Sequence, residues 1–260
     1  MTQVSRPGAT LRCHEFGEGP LLGYAHGVFF STAVEDSIGV LDWSSLSRTR
    51  RIVRYDQRGH GSSTGSPEPE SYAWPALGDD LLAVADRVAG PDPVDWAGSS
   101  MGTSSLLWAA VRRPSRFRRL VLMIPPTVRE GRAAATENYR AAADVVEQRG
   151  KKLWLNVLRS MPKPPIFADV STWVFDADVP ETLLPSVMRG AALSDLPGDA
   201  DLKAISHPVL ILAWETDPVH PVASARLLAE LLPDAHLHVS SDIRNIRTWP
   251  SRIEEFLSAP

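Results

Sequence analysis

Val94-Asp95-Trp96-Ala97-Gly98-Ser99-Ser100-Met101-Gly102-Thr103-Ser104 is the stretch whose reading decides the fold. Val94–Ala97 has the apolar character of a buried strand, and Ser104–Val111 continues as an apolar, glycine-free helix up to Pro114. Between them stands Gly98-Ser99-Ser100-Met101-Gly102, a G-x-S-x-G pattern. A strand that turns sharply into a helix through this pattern leaves the central serine exposed on a strained bend. Glycines flank it because side chains there would collide with neighbouring backbone. The N–H of Met101, just after the serine, would point at negative charge developing on an oxygen held above the bend.

Outward from this bend, short apolar runs alternate with helical patterns, the signature of a mostly parallel, doubly wound α/β sheet. Upstream, Leu21–Ala25 is a strand ending in His26-Gly27-Val28-Phe29, a loop whose Val28 N–H is a second candidate donor. Arg51–Tyr55 ends in Asp56-Gln57-Arg58-Gly59-His60-Gly61-Ser62-Ser63, a tight polar loop. His26, Asp56, Arg58 and His60 read most simply as groups that fix these loops. Ala9–Phe16 alternates and precedes Gly17-Glu18-Gly19-Pro20, which predicts an edge hairpin strand and its turn. Helical spacing covers Asp79–Val88. Downstream, Leu120–Ile124 and Val209–Trp214 are strands, Val222–Leu232 a helix, Leu237–Val239 a last short strand and Trp249–Leu257 a final helix. Residues 127–206 show no strand pattern; they read as a helical insertion within one domain spanning 1–260. Trp154 and Trp173, with Leu153, Leu155, Phe167 and Phe175, either line an apolar pocket over Ser100 or pack as core. Arg132, Arg140 and Arg149 read as a solvated face.

The chain has 260 residues, 43% of them hydrophobic and 22% charged, with a net charge of −4. That is ample for one large core and lacks the basic excess a nucleic-acid surface wants. The N-terminus has no apolar signal region, and no apolar run approaches the roughly 20 residues of a membrane span. A single cysteine, Cys13, excludes an internal disulfide and reads as a packing residue. These features predict a cytoplasmic protein with no membrane or nucleic-acid partner, acting on a small-molecule substrate; oligomeric state is not encoded in any of them. There is no phosphate-binding G-x-x-x-x-G-K-[ST], no G-x-G-x-x-G and no cluster with metal-ligand spacing, so no cofactor and no metal is expected.

H-G after one strand, D-x-R-G-x-G-x-S after the next, G-x-S-M-G after a third and D-P after a late strand occur in that order. As an ordered set they resemble the α/β-hydrolase superfamily, in its esterase- and lactonase-like branch with a helical cap. The resemblance covers most of the chain outside 127–206. It implies that Ser100 is the nucleophile, that Met101 and Val28 N–H groups form an oxyanion hole, that 127–206 is the cap, and that Asp217 holds the acidic position that orients a histidine.

The family order is Ser, then Asp, then a His after the last strand. Here the last strand is followed by Ser240-Ser241-Asp242-Ile243-Arg244-Asn245-Ile246-Arg247, with no histidine. The expected position falls near Asn245, whose amide is no general base. His236 and His238 share one face of a strand set back from the bend, and His207 begins a strand at the opposite end of the sheet. His220, three residues past Asp217, is the candidate base, with a substrate-contacting or loop-fixing role left open beside it. The resulting expectation is a hydrolase for an ester, lactone or similar carbonyl bond in a small apolar substrate. The missing histidine leaves two alternatives: a non-hydrolytic lyase or cyclase on the same fold, and a ligand-binding pseudoenzyme.

Overall fold

The computed structural model describes residues 2–259. The chain opens with β1 (Thr2–Arg6), β2 (Ala9–Phe16) and β3 (Leu21–Ala25), followed by α1 (Thr32–Ile38), α2 (Trp43–Leu46) and β4 (Arg51–Asp56). Next come α3 (Trp74–Ala89), β5 (Val94–Ser99), α4 (Met101–Arg112) and β6 (Phe117–Met123). Four helices then run without an intervening strand: α5 (Arg132–Arg149), α6 (Lys151–Ser160), α7 (Leu184–Ala192) and α8 (Asp199–Lys203). β7 (Val209–Trp214), α9 (Val222–Leu231), β8 (Ala235–Ser240), α10 (Ile243–Ile246) and α11 (Trp249–Ser258) complete it.

The eight strands form one sheet in the order β1-β2-β4-β3-β5-β6-β7-β8. β1–β2 and β2–β4 pair antiparallel and every other neighbour pair is parallel. All six residues of β7 are buried, as are six of the seven of β6. Strands apolar on both faces need helices on both faces. On one side Leu81 of α3, Leu106 of α4 and Leu228 of α9 pack on Val53, Leu122 and Ile211. On the other, Trp43 and Leu46 of α2 and Ile253 and Leu257 of α11 cover Ile52, Val121 and Leu212. A third apolar cluster, with Val146, Trp154, Leu184 and Met188, holds α5, α6 and α7 together. No helix of the described residues is long and apolar enough to cross a membrane.

The edge of the sheet differs from the expectation. β1, not Ala9–Phe16, is the edge strand, and the hairpin turn lies at Pro7-Gly8, with Gly8 at φ +69. Gly17-Glu18-Gly19-Pro20 instead carries the chain from β2 past β4 to β3. Thr-Gln-Val-Ser-Arg buries one residue, Val4, and an edge strand so polar leaves little apolar alternation to read. Cys13 lies fully buried in β2, where burial pushes its thiol up to about 12.

After β3 the chain first builds outward to β4 and then returns to β5 on the opposite side of β3. That reversal opens a crevice at the carboxyl ends of β3 and β5, the usual ligand position in such sheets. The loops 26–31 and 98–102 both end there.

Candidate active site

Ser100 sits between β5 and α4 at φ +51 and ψ −110, a conformation that side chains rarely adopt. The flanking glycines are required by contact. A Cβ on Gly98 would stand 2.3 Å from Gly102 O, and one on Gly102 would stand 2.0 Å from Ala25 O on β3. The bend is braced from the next strand: Ser100 N–H donates to Met123 O (2.9 Å), and Thr103 Oγ1 donates to Gly98 O (2.8 Å).

His220 reaches this serine from the loop after β7. Its Nε2 lies 2.9 Å from Ser100 Oγ, and its Nδ1 lies 3.1 Å from Asp217 Oδ2. Asp217 carries two tasks. Oδ1 accepts the backbone N–H groups of Val219 (2.8 Å) and His220 (2.9 Å), folding the loop back on itself, and Oδ2 faces the imidazole. A short acid that accepts backbone N–H groups two and three residues ahead is the usual turn former. The Asp217 side chain is 2% exposed and that of His220 is 16% exposed. Trp214, at the end of β7, stands edge-on to the imidazole with ring centroids 6.4 Å apart. An acid on Nδ1 fixes the tautomer that leaves Nε2 free to accept the serine proton.

Val28 lines the cavity over Ser100, and the neighbouring Gly27 is so close that a Cβ there would touch Ser100 Cβ at 3.5 Å. Met101 begins α4, so its N–H is one of the donors a helix leaves without an internal partner. Among the described residues neither amide donates a hydrogen bond.

The other histidines stand elsewhere. Buried His26 accepts Gln57 N–H on Nε2 (2.8 Å) and donates through Nδ1 to Gly27 O (2.8 Å); burial pushes its pKa down. His60 holds Arg58 O, and burial takes it down to about 3. His238 Nε2 binds Asn245 Oδ1 (2.7 Å), so the position where the family keeps its base is filled by an amide–imidazole pair. His207 meets Pro114 O, and the His236 side chain is 72% exposed.

The loop after β4 is held by charge. Arg58 donates to both oxygens of Asp80 (2.7 and 2.8 Å). Asp56 accepts from Thr32 N and Oγ1 and from Ser62 N and Oγ, all at 2.8–2.9 Å. Burial pushes the Asp56 carboxyl up, but these hydrogen bonds, led by Ser62 N–H, outweigh it and bring the pKa to about 2. A folded-state pKa below the unfolded value near 4 stabilises the fold at higher pH. The contribution, about 2 kcal/mol, is fully present above pH 4 and disappears as pH falls through 2. Urea melts of Asp56→Asn and the native chain should therefore converge by about that amount between pH 5 and pH 2. A gap that stays constant over this range refutes the assignment.

A cavity of about 630 Å³ lies over Ser100 and His220. Phe29 packs edge-on to Trp154 and Phe175 on one side, and Phe167 stacks on Trp173 and meets Trp214 on the other. Of the six apolar residues singled out between β6 and β7, Trp154, Trp173, Phe167 and Phe175 line it. Leu155 is buried outside the lining, and Leu153 is 45% exposed. Arg132 corrects the expectation of a solvated face. It is buried, lies 4.2 Å over the Trp74 ring, and donates to Ser194 O and Ala191 O, the carbonyls at the end of α7. Its aliphatic stem and planar head suit an aromatic face as well as water.

Two residues with no motif around them also bear on the site, one through the loop after β3 and one in the cavity wall. Asp178 ties the loop after β3 to the helical segment: its N–H donates to Phe29 O (2.7 Å), its carbonyl accepts Gly61 N–H (2.8 Å), and its Oδ2 accepts from Ser31 Oγ (2.7 Å). Glu35 of α1 lines the cavity beside Gly27. A lone acid in an irregular or helical stretch carries no local signal that would single it out. No group of three or more His, Cys, Asp or Glu among the described residues is arranged to hold a metal ion.

This architecture has known counterparts. The model of the alpha/beta hydrolase family matches residues 24–242. The chain belongs to the alpha/beta hydrolase family. Among relatives, 3-oxoadipate enol-lactonase 2 of Acinetobacter baylyi is 29% identical over 201 residues, 75% of this chain and 73% of that one. Pimeloyl-[acyl-carrier protein] methyl ester esterase of Nitrosomonas europaea is 27% identical over 240 residues, 88% and 90% of the two chains. In structure, the enol-lactonase from Burkholderia xenovorans superposes with a TM-score of 0.78 at 20% identity, covering 99% of this chain and 100% of its own. This α/β-hydrolase is thus an enzyme, and its named relatives are hydrolases.

Proposed function

We propose that this α/β-hydrolase cleaves an ester or lactone bond in a small, largely apolar substrate, with Ser100 as nucleophile. The observation that carries the reading is the 2.9 Å approach of His220 Nε2 to Ser100 Oγ, with Asp217 behind the imidazole. His220 takes the serine proton as Oγ attacks the carbonyl carbon, and Asp217 steadies the imidazolium that forms. The carbonyl oxygen gains negative charge beneath the Val28 and Met101 N–H groups. His220 then returns the proton to the leaving alkoxide, and an acyl-serine remains. A water, deprotonated by the same imidazole, attacks the acyl carbon and releases the acid.

Substrate size and polarity follow from the aromatic cavity of about 630 Å³. Helices α5 to α8 serve as the cap that closes it. The lyase and pseudoenzyme alternatives drew their weight from the missing histidine near Asn245; an imidazole supplied by the β7 loop favours hydrolysis.

A fluorophosphonate probe tests the reading. The expected result is a single adduct mapped by mass spectrometry to Ser100, and none in Ser100→Ala. No adduct, or one on another residue, overturns it.

A further inference from the structure

Beside Gly27 the cavity extends toward α1 and α2, where Ile38, Val40, Leu41 and Trp43 wall it. Among these apolar side chains stands one carboxyl, that of Glu35, 14% exposed. The Tyr24 hydroxyl donates to its Oε1 (2.7 Å), whereas Oε2 is enclosed without a hydrogen bond and pairs with Arg54 Nη2 at 3.6 Å. Ser99, next to the nucleophile, also lines this branch, and its hydroxyl meets that of Tyr24.

A carboxylate has about four acceptor sites, and leaving them unfilled in an apolar surrounding costs free energy. Glu35 fills one with the Tyr24 hydroxyl, and the Gly27 backbone N–H also reaches its carboxyl, which leaves acceptor capacity on the cavity side. Arg54 is a counter-ion at 3.6 Å, but one that Glu35 shares with other acceptors. Arg54 already donates to Asp36 Oδ1 (2.5 Å) and to Thr32 O (2.9 Å) and rests 4.8 Å over the Trp43 ring. Burial pushes the Glu35 carboxyl up to about 7 against the pull of Arg54, the Tyr24 hydroxyl and the Gly27 N–H, and a further donor from the substrate would add to that pull.

We infer that Glu35, supported by Tyr24 and Ser99, is a recognition point for a hydrogen-bond donor, a hydroxyl or amine, carried by the substrate near its scissile carbonyl. The inference rests on the hydrolase reading above and narrows its substrate class: the acyl or alkoxy portion is apolar but ends, or branches, in a donor. Above about pH 8, where the Glu35 carboxyl is ionised, a carboxylate at the same place meets like charge and is rejected.

The test uses p-nitrophenyl esters of four- to eight-carbon acyl chains, each with a methyl, hydroxyl, amino or carboxylate end. The readout is the ratio of kcat/KM for a substituted ester to that for its methyl-ended match, taken on one preparation so that any loss of folded enzyme cancels. At one chain length, and at about pH 8.5 where the Glu35 carboxyl is ionised, the native enzyme should favour the hydroxyl- or amino-ended ester by about tenfold, the worth of a hydrogen bond to a charged group. Glu35→Leu should bring the ratio to about one. Should Glu35→Leu fail to fold, Glu35→Gln should raise relative use of the carboxylate-ended ester by about tenfold. A native ratio near one at every length, or a ratio unchanged in the folded variants, overturns the subsite and leaves the hydrolase reading standing. A native enzyme that is not labelled at Ser100 and turns over none of the esters sinks the hydrolase reading, and the subsite with it.

Discussion

His220→Ala is expected to lower kcat for ester hydrolysis by three to six powers of ten, roughly the cost of deleting the histidine in enzymes built on the same three groups. The imidazole is the acceptor within reach of Ser100 Oγ, at 2.9 Å, and a serine hydroxyl without such a partner is a poor nucleophile. Its side chain is partly exposed on a loop, so the melting temperature should fall by no more than a few degrees. His238→Ala is the matching control. That ring lies beside Asn245, near the position where the family resemblance leads one to expect a base, but it is engaged by Asn245 Oδ1. It should retain kcat within about threefold, since surface changes away from the reacting groups rarely exceed a few tenths of a kcal/mol. The reverse pattern, an active His220→Ala and an inactive His238→Ala, overturns the assignment of the base. Asp217→Asn should fall between them in activity; it keeps an acceptor for the loop amides of Val219 and His220 but loses the charge behind the imidazole.

Gly102→Ala should destabilise the fold by about 3 kcal/mol or more. The added carbon would stand 2.0 Å from the carbonyl oxygen of Ala25, backbone of a central strand that cannot move aside without breaking its pairing with β4 and β5. Overpacking against rigid backbone costs about 3 kcal/mol or more, a large share of the roughly 5–15 kcal/mol by which domains are stable. Gly90→Ala calibrates the result. Unlike Gly102 it has a positive φ (+60), but nothing lies within 4 Å of the added carbon, so the cost is that of backbone strain alone, about 1 kcal/mol. Urea melts of the two variants measure the difference. A Gly102→Ala protein that melts like Gly90→Ala would mean that α4 does not pack against β3 as described.

Much of the site is visible in the primary structure because its physics is local. A strand, two glycines and a serine dictate the bend at 98–102 whatever surrounds it, and Asp217 before a proline dictates a turn that its own carboxylate closes. The partnership of Ser100 with His220 is not local. The two lie 120 positions apart, and only the juxtaposition of β5 and the β7 loop across β6 shows which of seven histidines meets the serine. β1 escaped notice because an edge strand needs one buried residue, Val4, and is otherwise polar. Arg132 was misread for a related reason. Helical spacing placed it with Arg140 and Arg149, but at the first turn of α5 it meets the Trp74 ring and the end of α7, contacts that no periodicity reports. Glu35 and Asp178 gain meaning only from what folds against them.

Placing acid and imidazole within four consecutive residues makes their mutual alignment a property of one short loop. In an arrangement that draws them from two separate strands, a shear between those strands would misalign the relay; here the pair travels as a unit. In the proposed mechanism the residues beyond α9 take no part in proton handling. Surface redesign between 235 and 259 that spares Trp249, which lines the cavity, should accordingly register in melting behaviour long before it registers in turnover.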